Sequence, residues 1–261
     1  GFLNTRRLPR ILNPPEGFFA TANQFNVPKN YPYRDFSAHQ WSDPYRYNRI
    51  FEVLTSGKKF TVSDSLKLQL DELSLPAEQL VFLLNELTSS DSATNTALAM
   101  LLDWDYVLSK DSVPAAIFEL WVLQLHKNVF DLYVPFAARP ICGSGNRRVL
   151  IDLLYSPDSA FGTDPIAGRN AVLLTSLQQA VEILTEKLGS DMDNWQWGNL
   201  HHAAYDHALS AAVTDPDILD LLNVGPLPRG GDGFTVNNTS YRTSDFRQTS
   251  GASVRQVVDL K

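Results

Sequence analysis

Residues Glu16–Asn26 read EGFFATANQFN, and whether the chain carries a sheet or only helices turns on them. Gly17-Phe18-Phe19-Ala20 is apolar, and the run predicts a short strand over Phe18–Ala22. Thr21-Ala22-Asn23-Gln24 then brings two carboxamides to its tip. An Asn in that place either closes a turn through its own side chain or presents an NH2 to a ligand. The residues alone leave both readings open.

Working outward, three zones differ in texture. Residues 1–43 are rich in proline, asparagine and aromatics. Residues 44–223 carry apolar residues at helical spacing: Tyr47, Ile50 and Leu54; Val62, Leu66, Leu70 and Leu73; then Leu80, Leu83, Leu84 and Leu87 after Pro76. Ser89-Ser90-Asp91 is placed to cap a helix over Thr94–Leu102, and Pro114 opens a longer one bearing Phe118, Trp121, Val122, Leu125 and Val129. NRRVLIDLLY and NAVLLTSLQQAVEILTEKLG add two more, the second stopped by Gly189. Residues 224–261 are turn-dense, with FTVN and SVRQVVDL reading as short strands. The expectation is an α+β fold: a mostly helical body with strands at both ends that meet in one sheet, the whole forming one structural unit.

Composition narrows the function. Of 261 residues 44% are hydrophobic, so a packed core is expected and disorder is not. The formal net charge of −7 argues against a duplex nucleic-acid binder, which needs a basic face. No basic run is longer than Arg6-Arg7 or Arg147-Arg148, and each of these reads as a solvated pair. The longest apolar runs are too short to span a bilayer. The single cysteine, Cys142, precludes an intrachain disulfide and disfavours thiolate-bound zinc. The opening GFLNTRRLPRILNPPEG, with three prolines in its first fifteen residues, reads as the start of a processed or excised piece.

Four motifs could carry chemistry. WQWGNLHHAAYDHALS holds His201, His202, Asp206 and His207, but the HExxH spacing of a zinc hydrolase is absent, so a polar turn is the stronger reading. RGGDGFTVNN lacks the Lys and the following helix of a phosphate loop, and reads as a tight turn feeding a strand. The overlapping Asn237-Asn238-Thr239-Ser240 sequons read as coincidence. No GxSxG elbow occurs, and no Ser, Thr or Cys stands out as an activated nucleophile. The fourth motif runs from the EGFFATANQFN stretch into the first predicted helix. Its uncharged amide, Asn23, and fixed guanidinium, Arg46, suit stabilisation of an oxyanion because neither changes protonation. Asn26 and Arg49 are the nearest alternatives.

In order along the chain, NPPEGFFATANQFN, DFSAHQWSDPYRYNRI, LQLDELS, LLDWDYVLSKDSVPAAIFELW, WQWGNLHH, GGDGFTVN and GASVRQVVDL resemble the penicillin acylases, the penicillin amidase family of N-terminal-nucleophile hydrolases. The resemblance covers essentially the whole chain. It implies a hydrolase of linear amide C–N bonds in penicillin or cephalosporin side chains, with a link to antibiotic biosynthesis, or in N-acyl homoserine lactones. It implies strands that belong to an αββα sheet, a bacterial periplasmic or secreted location, and a precursor cleaved into α and β chains. The nucleophile would be the N-terminal Ser of the β chain, with its own amino group as base.

Within that resemblance Asn23 matches the oxyanion-hole Asn, Arg46 the Arg that orients it, and Asp35 an Asp that ligates a structural calcium. No organic cofactor is implied. Gly1-Phe2-Leu3 does not match the start of the β chain. The 261 residues therefore read as the later part of a β chain, inactive alone, whose partners are the remaining β chain, an α chain and a small-molecule amide. The competing reading is a non-enzymatic helical module that binds a partner through the aromatics of residues 18–47.

Overall fold

The computed structural model describes residues 3–28, 30–34, 40–142 and 146–259. Its centre is a pair of long helices, α5 (Val113–Tyr133) and α7 (Pro165–Leu188). Both begin the same way. A capping side chain, Ser112 or Asp164, accepts the N–H of Ala115 or Ala167, and a proline follows within the first turn, where its missing N–H costs nothing. Gly189, at φ +89°, ends α7.

Phe118, Trp121 and Leu125 of α5 are buried with Leu173, Leu177, Ala180 and Leu184 of α7. Polar bonds fix the register between them. Trp121 Nε1 donates to the Leu173 carbonyl at 3.1 Å, and Asn128 Nδ2 donates to Ser176 Oγ and Gln179 Oε1, each at 2.9 Å.

Shorter helices pack around this pair: α1 (Tyr45–Leu54), α2 (Val62–Gln69), α3 (Leu75–Phe82), α4 (Ser92–Leu102), α6 (Arg147–Tyr155) and α8 (Pro216–Leu222). Their caps follow the sequence. Thr61 and Asp64 form a capping box on α2, Asp91 accepts the Thr94 N–H at 2.7 Å, and Asn146 caps α6. The α2 pattern extends to Leu73, but the helix stops at Gln69 because Leu73 turns away to form an isolated β-bridge with Val107.

The strands differ from expectation in place. Among the described residues they form two antiparallel pairs: β1 (His202–Tyr205) with β2 (Val224–Pro228), and β3 (Thr239–Tyr241) with β4 (Gln248–Gly251). The fold is thus α+β, but no strand forms over Phe18–Ala22, over FTVN or over residues 254–259. Phe18 instead lays its ring on Phe51 of α1, 5.7 Å between centroids, and Gln24 Oε1 takes the Ala22 N–H at 2.7 Å. FTVN is a turn because the Asp232 carboxylate accepts the N–H groups of both Phe234 and Thr235, each at 2.8 Å.

The Gly230-Gly231 pair is seated on the helical body. Gly231 N donates to the Leu108 carbonyl at 2.6 Å, and Trp197 Nε1 donates to the Gly231 carbonyl at 3.0 Å. Gly231 lies at φ +73°, and a Cβ there would meet Asn237 Oδ1 at 2.1 Å. Gly57 has a similar φ of +77° with open space around it. In thermal unfolding Gly57→Ala is expected to cost about 1 kcal/mol, the backbone penalty alone. Gly231→Ala is expected to cost about 1–3 kcal/mol more. Equal effects at the two sites would show that the loop is not held as described.

Candidate active site

A cleft of about 580 Å³ opens where the loop before α1, the N-termini of α1 and α6, the middle of α5 and the Asp232 turn converge. Asn23 and Arg46 both line it. Arg46, in the first turn of α1, points Nη2 at Asn23 Oδ1, 3.1 Å away. A guanidinium only donates, so this bond assigns the amide: Oδ1 faces Arg46 and the NH2 faces the other way. That Nδ2 donates to no described residue.

The backbone holds Asn23 in place. It sits at φ +66°, a conformation asparagine tolerates better than most residues, and its carbonyl accepts the Ser42 N–H at 3.0 Å. Burial presses on the Arg46 guanidinium and Asp232 across the cleft supports its charge. The alternatives lie elsewhere. Arg49 is bound to Asp71 at 2.8 Å and to Glu52, and Asn26 bonds Thr21 at 3.4 Å. Asp35 lies outside the described residues.

The floor of the cleft holds four residues that sequence reading passed over: Glu119 of α5, Arg147 at the start of α6, Asp232, and Tyr241 of β3. Arg147, expected as a solvated charge, is only 5% exposed; its guanidinium lies over the Phe234 ring at 4.5 Å. Glu119 and Asp232 are each 1% exposed. The Tyr241 hydroxyl donates to Glu119 Oε2 in a short hydrogen bond, and burial together with the adjacent carboxyl raises the Tyr241 pKa well above its ordinary value.

Glu119 Oε1 and Asp232 Oδ2 are buried and have no donor among the described residues. Burial first, and the Asp232 carboxylate second, push Glu119 up to about 8, so it holds a proton at neutral pH. The physical picture is a neutral carboxylic acid beside a carboxylate, with Arg147 close enough to offset part of the charge. A lone Glu inside AAIFELWV was the one signal in the sequence that could have pointed here.

The histidine cluster disperses. His201 is fully buried, its Nδ1 on the Phe246 carbonyl at 3.0 Å and its ring stacked on Trp197. His202 bonds the Leu200 carbonyl, His207 caps a 3-10 turn, and Asp206 pairs with Arg247 at 2.8 Å. No group of three His, Cys, Asp or Glu among the described residues could hold a metal ion. Nor does RGGDG cradle an anion: Gly231 and Asp232 spend their N–H groups on Leu108 and Thr235.

The raised Glu119 pKa predicts a pH effect. The folded state binds a proton that the unfolded state, near 4.5, has lost. Its contribution to stability is full below 4.5 and is lost as pH rises through about 8. Denaturant titrations between pH 5 and 8 are expected to show stability falling by up to about 1.4 kcal/mol per pH unit relative to Glu119→Gln. Parallel profiles for the two proteins would contradict the protonated state.

Comparison with known proteins completes the picture. The penicillin amidase family profile matches residues 1–261. An acyl-homoserine lactone acylase QuiP from Pseudomonas fluorescens (strain Pf-5) is 28% identical over 289 residues, covering 100% of this chain and 34% of that protein. The penicillin acylase 2 proenzyme of Pseudomonas sp. (strain SE83) is 28% identical over 271 residues, covering 100% and 33%. QuiP of Pseudomonas aeruginosa is 26% identical over 291 residues, covering 97% and 34%. The chain spans about a third of the length of the curated relatives it matches. On the whole-length match, the chain belongs to the penicillin amidase family.

Proposed function

We propose that these residues form one wall of the active site of an amidohydrolase that cleaves acyl amides, of the N-acyl homoserine lactone type or the penicillin and cephalosporin side-chain type. The observation that carries the reading is the Arg46–Asn23 bond, which leaves the Asn23 NH2 turned away from Arg46 beside a cleft. In the proposed reaction a serine at a chain N-terminus, outside these 261 residues, attacks the amide carbonyl. Its amino group takes the proton, and Asn23 Nδ2 donates to the oxygen as negative charge develops. Arg46 holds the amide in register and adds positive potential, and a backbone N–H from elsewhere in the protein completes the pair of donors.

The same reading includes a precursor processed into α and β chains, as the word proenzyme in the name of the SE83 relative accords with. It also includes export from a bacterial cytoplasm. Among the described residues no helix is long and apolar enough to cross a membrane. A structural calcium with Asp35 as one oxygen ligand belongs to the proposal too, and no catalytic step runs through it. The alternative of a partner-binding module draws on exposed aromatics such as Phe19, 60% exposed, which an active-site wall leaves open equally well.

Asn23→Ala in the full-length processed protein is expected to lower kcat by roughly 10²–10³, with a stability loss of about 1 kcal/mol from alanine at a positive φ. Arg46→Leu is expected to lower it by a smaller factor, because the amide keeps its place but loses its assigned orientation. Turnover near that of the parent in Asn23→Ala, with the fold intact, would remove Asn23 from the chemistry.

A further inference from the structure

No residue between Ala203 and Gly230 is buried. This stretch leaves β1, turns at Ala208–Ala212, forms α8 and returns as β2, whose five residues are all exposed. It is folded on itself as an arm. His207 Nδ1 accepts the Leu209 N–H at 3.1 Å, and Asp215 accepts that of Asp217 at 3.0 Å. Asn223 Oδ1 takes the His207 N–H at 2.8 Å and the Ser210 hydroxyl at 2.6 Å. Ordering a backbone costs conformational entropy at every residue. A five-residue turn and a seven-residue helix are marginal without apolar burial. The arm is built to lie against another surface.

Its open face is apolar and acidic. Tyr205, Leu209, Ile218, Leu221, Val224 and Leu227 are each 45% exposed or more. Asp206, Asp215, Asp217 and Asp220 stand among them, and no Lys or Arg occurs between Lys187 and Arg229. Asp206 is bound to Arg247, and the other three have no cationic partner among the described residues. Pro226 and Pro228 lack N–H groups, so β2 offers its side chains rather than a strand edge.

A matching surface lies on the same chain. Residues 3–12 carry Arg6, Arg7 and Arg10 and no carboxylate, and Leu8, Ile11 and Leu12 are 50%, 56% and 86% exposed. Arg7 lies over the Tyr33 ring and Arg10 bonds the Arg6 carbonyl, but none of the three pairs with a carboxylate among the described residues. Within one molecule the basic strap and the acidic arm are thus left unpaired with each other. Between two copies each supplies the charge that the other lacks.

We propose that the arm, residues 205–227, is a self-association surface that receives residues 3–12 of a second copy. Leu8, Ile11 and Leu12 lie against the apolar face at Ile218, Leu221 and Leu227, with the arginines toward Asp217 and Asp220. Apolar burial supplies the affinity, and the opposed charges steer the encounter and set its register. The contact joins two different patches, so it closes when two copies exchange straps. It is separate from any reaction at Asn23.

The test is sedimentation velocity of the full-length processed protein over a wide concentration range at low and high salt. The average mass is expected to rise with concentration and to fall as salt screens the charges. Asp217→Lys/Asp220→Lys, which leaves the Asp215 cap in place, and Arg6→Glu/Arg7→Glu/Arg10→Glu are each expected to self-associate at least about tenfold more weakly. Mixed together, the two variants present opposite charges again and are expected to associate within about threefold of the parent. Leu221→Asp, at a site that contributes no packing to the monomer, is expected to weaken association by about tenfold. A mass independent of concentration overturns the proposal and leaves the arm to the remaining part of the same protein. So does association that Leu221→Asp does not change, or weakened charge variants that the mixture does not restore.

Discussion

The organisation of the cleft depends on one hydrogen bond, from Arg46 Nη2 to Asn23 Oδ1. A primary amide can present either its oxygen or its NH2, and without a partner it presents both. The guanidinium removes the ambiguity because it has no acceptor. For that to work Arg46 must be stationary, and α1 makes it so. Tyr45 beside it is buried, and Phe18 and Tyr47 pack on Phe51 one turn further along the helix. Asn23 must be stationary as well, which the Ser42 N–H and the left-handed backbone at φ +66° accomplish. Asn23 thus makes its turn with the backbone, not with its side chain, and the amide is left to Arg46, with its NH2 free for the donor role proposed above.

Below that pair the cleft floor departs from ordinary protein interiors. Two carboxyl groups and a guanidinium are buried together beside the half-buried phenol of Tyr241, an arrangement that costs desolvation energy unless charges are matched. Here matching is achieved with a proton: Glu119 stays neutral, Tyr241 donates to it, and Asp232 places its other oxygen on the N–H groups of its own turn. Three separate elements, α5, the Asp232 turn and β3, are joined by the result. The Gly230-Gly231 pair next to Asp232 lets two further side chains close in. Glu72 and Asn237 approach those glycines closer than any Cβ would allow.

The helices were legible because their information is local. The Asp91 cap and the prolines at the first turns of α3 and α5 specify starts, and apolar spacing specifies the buried face of α5, though not of α2, whose Val62 and Leu66 are exposed. Strands were not, because they are only three to five residues long and their composition is polar or proline-bearing. HAAY was obscured by its histidines, and Val224–Pro228 by its prolines and glycine, yet they pair. FFATA and FTVN have strand composition but their backbone groups go to side chains and turns instead. Arg147 shows the same limit for charge. In the sequence it is one of two adjacent arginines, and only the packing of α6 against Phe234 separates the buried one from its exposed neighbour Arg148. Asn23 and Arg46 were found through resemblance, and their mutual bond is visible only in three dimensions.

The central claim is that Asn23 offers its NH2, and not its oxygen, to the oxygen of the reacting carbonyl. A crystal structure of the full-length processed protein with a boronic-acid or phosphonate mimic of the tetrahedral intermediate tests it directly. The account predicts Asn23 Nδ2 at about 2.7–3.1 Å from the mimic's oxyanion oxygen, with Oδ1 still on Arg46. An oxyanion oxygen held by other donors, with Asn23 turned out of the site, would contradict it.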